Sequence, residues 1–138
     1  MNRHMSPKHI EACQNCVDKC EKLIDACQVL IPECSVRSVE ECAEQVGKSV
    51  KASRECIEAC KVCIEQCNEH LKNCDNSKCV MVCKDTIKKC EACILICQQV
   101  ISECKSNDIE CVNAANECIK KCKACVDSCE LCIYTVKV

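Results

Sequence analysis

Between Glu55 and Cys74 the chain reads ECIEACKVCIEQCNEHLKNC, with cysteines at 56, 60, 63, 67 and 74 and a histidine at 70. Steps of four, three, four and seven belong to a heptad seam, so Cys56, Cys60, Cys63, Cys67 and Cys74 project from one face of a helix. His70 fills the seam position that the cysteines skip. A stripe that would ordinarily carry Leu or Ile carries thiols and an imidazole instead. These groups are ligands for soft and borderline metal ions, so the chemistry on offer is metal binding. No paired carboxylate at an end wall, Ser-His pair or Gly-rich loop points to catalysis, and the chain reads as a binding protein and not an enzyme.

The same seam recurs three more times. An N-terminal segment carries His9, Cys13, Cys16, Cys20, Leu23, Cys27 and Leu30, with Cys34 near the turn that follows. A third carries Cys79, Cys83, Thr86, Cys90, Cys93, Cys97, Val100 and Cys104, and a fourth Cys111, Ala115, Cys118, Cys122, Cys125, Cys129 and Cys132. Upstream of Cys56 the second seam continues through Cys42, Val46, Ser49 and Ser53. Each segment holds one C-x2-C-x3-C run, at Cys13/16/20, Cys60/63/67, Cys90/93/97 and Cys122/125/129, which marks an internal repeat. Beside each seam runs a second stripe of branched aliphatics, such as Ile10, Val17, Ile24 and Ile31 in the first segment. Each helix therefore shows the wide apolar face of a bundle rather than a two-stranded coil.

The elements that must carry these seams follow from local signals. Ser6 before Pro7 is a helix start, and Pro32 is a stop, which predicts a first helix over about 7–31. Ser38 and Glu41 form a capping box that opens a second helical region over about 38–73, with a possible break at Gly47. Asp75-Asn76-Ser77 and Ser106-Asn107-Asp108 read as turns, giving helices over about 77–105 and 108–134. Short turns make consecutive helices antiparallel, and the expectation is an all-α, up-down four-helix bundle with cysteines lining its interior, formed as one domain over residues 1–138. That topology collects His4, Met5, His9, His70, Cys74, Cys79, Met81 and Tyr134 at one end. His9 and His70 lie in the seam itself and are the expected ligands of a mouth.

Composition agrees with helices and narrows the partners. The chain has 138 residues with one Gly, two Pro, one Tyr and no Trp or Phe, so its 23 cysteines must supply much of the core. The net charge of −2 comes with scattered basic residues, which gives no reason to expect nucleic acid or an anionic membrane. No run approaches a transmembrane length, and the N-terminus lacks the apolar stretch of a signal peptide, so the expected location is the cytoplasm, where thiols stay reduced.

Several readings of the thiols compete. A mere small-hydrophobe role does not explain why nearly every seam position is Cys. A disulfide-stabilised structural bundle stays open: cysteines three or four apart on a helix have Cβ atoms about 5–6 Å apart, too far for an unstrained bond, but bridges between helices are allowed. Zinc at four thiolates leaves two negative charges per site, costly when stacked along a dry axis without Lys or Arg. Cu(I) replaces one thiol proton per ion and leaves a roughly one-to-one core neutral, so multiple Cu(I) ions fit the ligand set better than Zn(II). A zinc or mixed soft-metal buffer is the nearest alternative. Iron–sulfur clusters and thioredoxin-type redox chemistry lack their usual loop and strand contexts.

In its C-x3-C-x2-C-x3-C runs, at Cys56/60/63/67 and Cys118/122/125/129 with Cys132 beyond, the chain resembles the bacterial copper storage proteins. The resemblance covers about residues 8–134. It implies a bundle that stores Cu(I) inside, admits it at one end through His and Met, receives it from a carrier such as a copper chaperone, and assembles as a homo-tetramer. The missing leader makes the chain look like the cytosolic members. Leu95, outward-facing between Ile94 and Ile96, independently suggests a further interface. The chain departs from the family pattern in its abundance of cysteine, Cys34 in a connection included.

Overall fold

The computed structural model describes residues 6–105 and 108–137. Its helices are α1 (Pro7–Val36), α2 (Ala43–Leu71), α3 (Ser77–Glu103) and α4 (Asp108–Lys137). Among the described residues there is no strand. α1 packs on α2 and α4, and α3 packs on the same two, which closes an antiparallel up-down four-helix bundle. No described helix is long and apolar enough to cross a membrane. His4 and Met5, expected near the mouth, lie outside the described residues, as do Ser106 and Asn107 of the last turn.

The helix starts are chemically explicit. Ser6 caps α1 by accepting the His9 amide at 3.1 Å, with Pro7 at the first position where its missing N–H costs nothing. Asn76 caps α3 by accepting the Cys79 amide at 3.0 Å. Both caps lie one turn from a predicted ligand and hold it at the same end of the bundle.

Several boundaries differ from the sequence expectation. α1 does not stop at Pro32 but runs on to Val36. Pro32 forfeits a hydrogen bond at a cost of about 3 kcal/mol, yet its ring is exposed, while Leu30 and Cys34 on the inner face are buried and keep the helix in phase. The Ser38–Glu41 capping box forms, with Glu41 Oε1 accepting the Ser38 amide and Ser38 Oγ the Glu41 amide, both at 3.1 Å. It closes a turn over residues 39–42, however, and α2 begins only at Ala43. Gly47 causes no break: it is exposed, nothing lies within 4 Å of where its Cβ would be, and buried Val46 and Val50 carry the helix past it. At the other end α2 stops at Leu71, so Cys74 lies in a connection and leaves the seam that its spacing suggested.

The core is a sulfur column in an aliphatic frame. Cys13, Cys16, Cys20, Cys56, Cys60, Cys63, Cys90, Cys93, Cys122, Cys125 and Cys129 have no exposed surface. Around them the branched stripes, Ile10, Val17, Ile64, Ile87, Ile94, Ile119 and Ile133 among them, pack half-buried against the column along the helix–helix grooves. Each such side chain contributes up to roughly 1.5–3 kcal/mol when fully covered, so the frame has its own reason to assemble.

Candidate metal centre

One register runs the length of each hairpin. On α1 and α2, His9 faces Cys67, Cys13 faces Cys63 at 3.7 Å, Cys16 faces Cys60 at 3.7 Å and Cys20 faces Cys56 at 3.6 Å. On α3 and α4, Cys83 faces Cys132 at 3.7 Å, and Cys90–Cys125 and Cys93–Cys122 each stand at 3.6 Å. Sulfurs of the two hairpins also meet across the axis, Cys16 with Cys125 at 3.7 Å and Cys56 with Cys93 at 3.6 Å. The antiparallel heptads produce this: a step up one helix equals a step down its neighbour, so a seam of cysteines becomes a stack of layers.

The layers form overlapping donor sets. Cys20, Cys56, Cys93 and Cys122 have all four sulfurs within 4.8 Å of one another, as do Cys16, Cys20, Cys60 and Cys125. Cys16 and Cys125 recur with Cys90 and Cys129, and Cys13, Cys63 and Cys129 make a further group. Two metal–sulfur bonds of about 2.3 Å at a tetrahedral or trigonal angle separate their sulfurs by roughly 3.8–4.0 Å. The sulfurs therefore stand near ligating distance already.

At the capped end, His9, Cys13, Cys67 and Cys132 form a mixed nitrogen–sulfur set. His9 Nε2 lies 3.3 Å from Cys67 Sγ, and the buried Nδ1 has no hydrogen-bond partner. An orphaned buried nitrogen costs roughly 1–3 kcal/mol, which an ion bound there would offset. The His70 ring lies 5.1 Å from that of His9, and its Nε2 is 2.9 Å from Cys79 Sγ. Burial, then the neighbouring His9, hold His70 below the ordinary imidazole value, so it keeps a free lone pair. Cys79 is pushed up to about 12, mainly by burial and then by Cys74. Cys74 is only partly buried and points to the Asn76 carbonyl at 3.9 Å. Met81 and Tyr134 stand exposed at this end.

The column does not ionise uniformly. Cys118 is drawn down to about 2, chiefly by a hydrogen bond from Cys122, and Cys125 to about 6, chiefly by one from Cys129. Cys122 and Cys129 are raised by those same contacts. Each ionised sulfur is stabilised by neighbours that must keep their protons, so the thiols titrate as a set. Among the described residues no Lys or Arg is buried in the column, and arriving cations must take the protons' place.

Two features lay beyond the sequence reading. Cys34 with Cys42 and Cys104 with Cys111, all four expected as ligands, are paired as disulfides and offer no thiolate in this state. The signal was present, since each pair flanks a turn at a separation of eight and seven residues, where a bridge between helices is allowed. The other feature is hydroxylic: buried Thr86 meets Ser128 Oγ at 3.0 Å, and Ser128 donates to Asp85 at 2.9 Å. Thr86 sits where the α3 seam skips a cysteine, which was its only mark.

No family model, no curated protein and no solved structure matches the chain. The fold and the site define a helical bundle with buried cysteine groups able to hold metal ions.

Proposed function

We propose that this chain stores or sequesters multiple Cu(I) ions inside the bundle. The observation that carries the reading is the sharing of ligands: Cys16, Cys20 and Cys125 each belong to two donor sets. Shared thiolates suit a continuous array of monovalent soft ions, each replacing one proton, better than separate divalent sites with two uncompensated charges apiece. Copper is handed over by a carrier at the His9/His70 end and passes by thiolate exchange into the column, with proton release keeping it neutral. The likeness to the bacterial copper storage proteins supports this reading, and with it a cytoplasmic binding protein without catalytic activity. Exposed Leu95 suits a contact within a homo-tetramer.

Zinc has one specific foothold, the His9, Cys13, Cys67 and Cys132 set, whose single nitrogen and three sulfurs match a zinc donor set. An anaerobic Cu(I) titration of reduced protein against a competing chelator, with Zn(II) in parallel, decides between them. The expected result is tight uptake approaching one copper per free cysteine at constant helicity. Saturation after a few ions, or preference for Zn(II), would sink the storage reading.

A further inference from the structure

The hairpin tips remote from the histidines carry the two disulfides, while the other 19 cysteines are free. Non-thiol core residues separate the tip cysteine from the column on every helix: Leu30 on α1, Val46, Ser49 and Ser53 on α2, Val100 on α3 and Ala115 on α4. The tips are therefore a sulfur group of their own.

The register states where these sulfurs would stand once the bonds are open. Cys20 on α1 and Cys125 on α4 have sulfurs within 4.8 Å. Two heptads further along α1 and two back along α4, the same relation joins Cys34 to Cys111. Cys42 faces Cys34 as Cys56 faces Cys20, and Cys104 faces Cys111 as Cys90 faces Cys125. The four sulfurs, one from each helix, thus share one layer at the tip end of the bundle.

The surroundings differ from the column in charge and access. A surface groove lined by Cys34, Ser35, Arg37 and Ile109 reaches the first pair. The Arg37 guanidinium there favours a thiolate and offsets the charge of an anionic metal–thiolate group. Cys34 and Cys42 retain 4% exposure each, whereas Cys104 and Cys111 have none.

We propose that Cys34, Cys42, Cys104 and Cys111 form a second soft-metal site, separate from the column and gated by redox state. The proposal rests on the metal-binding reading above. As disulfides the pairs withhold four ligands and lock both hairpin tips. A dithiol reductant opens each bond: the S–S bond takes up two electrons and two protons to give two thiols, and the reductant's two thiols become its own disulfide. Two reductant molecules free all four ligands, and a d10 ion such as Cu(I) then displaces thiol protons. Cys34–Cys42, reached by the groove, opens first.

The test compares Cu(I) capacity, against a competing chelator under anaerobic conditions, in three samples. These are the fully reduced chain, the chain treated with two equivalents of a small disulfide oxidant, and the Cys34→Ser/Cys42→Ser/Cys104→Ser/Cys111→Ser variant. Differential alkylation and peptide mass mapping report which cysteines are bonded. The expected result is oxidation confined to the tips, capacity at least one ion below that of the reduced chain, recovery with a dithiol, and a variant fixed at the lower capacity under both conditions. Equal capacity in the reduced and tip-oxidised chains, or oxidation spread over the column, would overturn the proposal. A column that takes up no Cu(I) would instead remove the storage reading, and the reduced-minus-oxidised difference would still decide the tip site.

Discussion

At one end of the bundle His9 and His70 stand 5.1 Å apart above a ring of thiols, and Cys74 sits part-exposed in the following connection. At the other end Leu30, Val46, Val100 and Ala115 fill the positions between sulfur layers, and two disulfides tie the turns. The same four helices run through both. What differs is whether the seam residue can exchange a ligand or only exclude water. Donors that could hold an ion sit where the chain is capped but not cross-linked, and aliphatic residues part the column from the cross-linked end. The comparison teaches that a bundle can present exchangeable donors at one end and a cross-linked aliphatic layer at the other without any change of backbone geometry.

The sharpest way to break that contrast is in the column. Replacing Cys16, Cys60, Cys90 and Cys125 together by Ser is expected to lower Cu(I) capacity by about one ion per thiolate removed, with helicity retained because the aliphatic frame is untouched. Metal analysis after gel filtration checks the count, and an unchanged capacity would mean that the column is not the store. At the sealed end, Leu30→Ala is expected to cost about 2–5 kcal/mol of apo stability by opening a cavity, seen as a lower denaturation midpoint, while capacity stays as it was. A loss of capacity instead would show the aliphatic layer to be part of the site.

The mouth offers the smallest effect. His70→Ala is expected to slow uptake roughly tenfold, about 1.4 kcal/mol in barrier, and to leave the final stoichiometry alone. Because the folded His70 is held below its unfolded value of 6.5, the neutral ligand form persists above pH 6.5. It is lost as pH falls through the lowered value, and the folded chain loses that part of its stability in the same window. Stopped-flow uptake from pH 7.5 down to about 5 should therefore fall in the parent and be flatter in the variant. Parallel profiles would assign the pH dependence to the thiols alone.

Much of this was legible in the sequence, and the reasons are physical. A seam of cysteines at heptad steps can only become a column once helices pack antiparallel, so the fold and the central donors followed from spacing alone. The departures have different causes. Pro32 is a strong local stop signal and Gly47 left the continuity of the second helix open, but both face solvent while buried neighbours hold the helix, and packing overrides propensity on the outer face. Cys74 failed for the opposite reason: its phase was right, but α2 had already ended at Leu71. The tip disulfides depend on how two turns close, which spacing within a single helix does not encode.

The constant register has one further consequence. Because the helix–helix register is constant along the bundle, the interior behaves as a ruler whose graduations are set by helix length. Seven residues inserted into each helix at matching depth would add whole rungs and leave both termini of the stack as they are. In such an architecture, the number of donor layers is a quantity that evolution or a designer can dial by length, independently of the groups at either end.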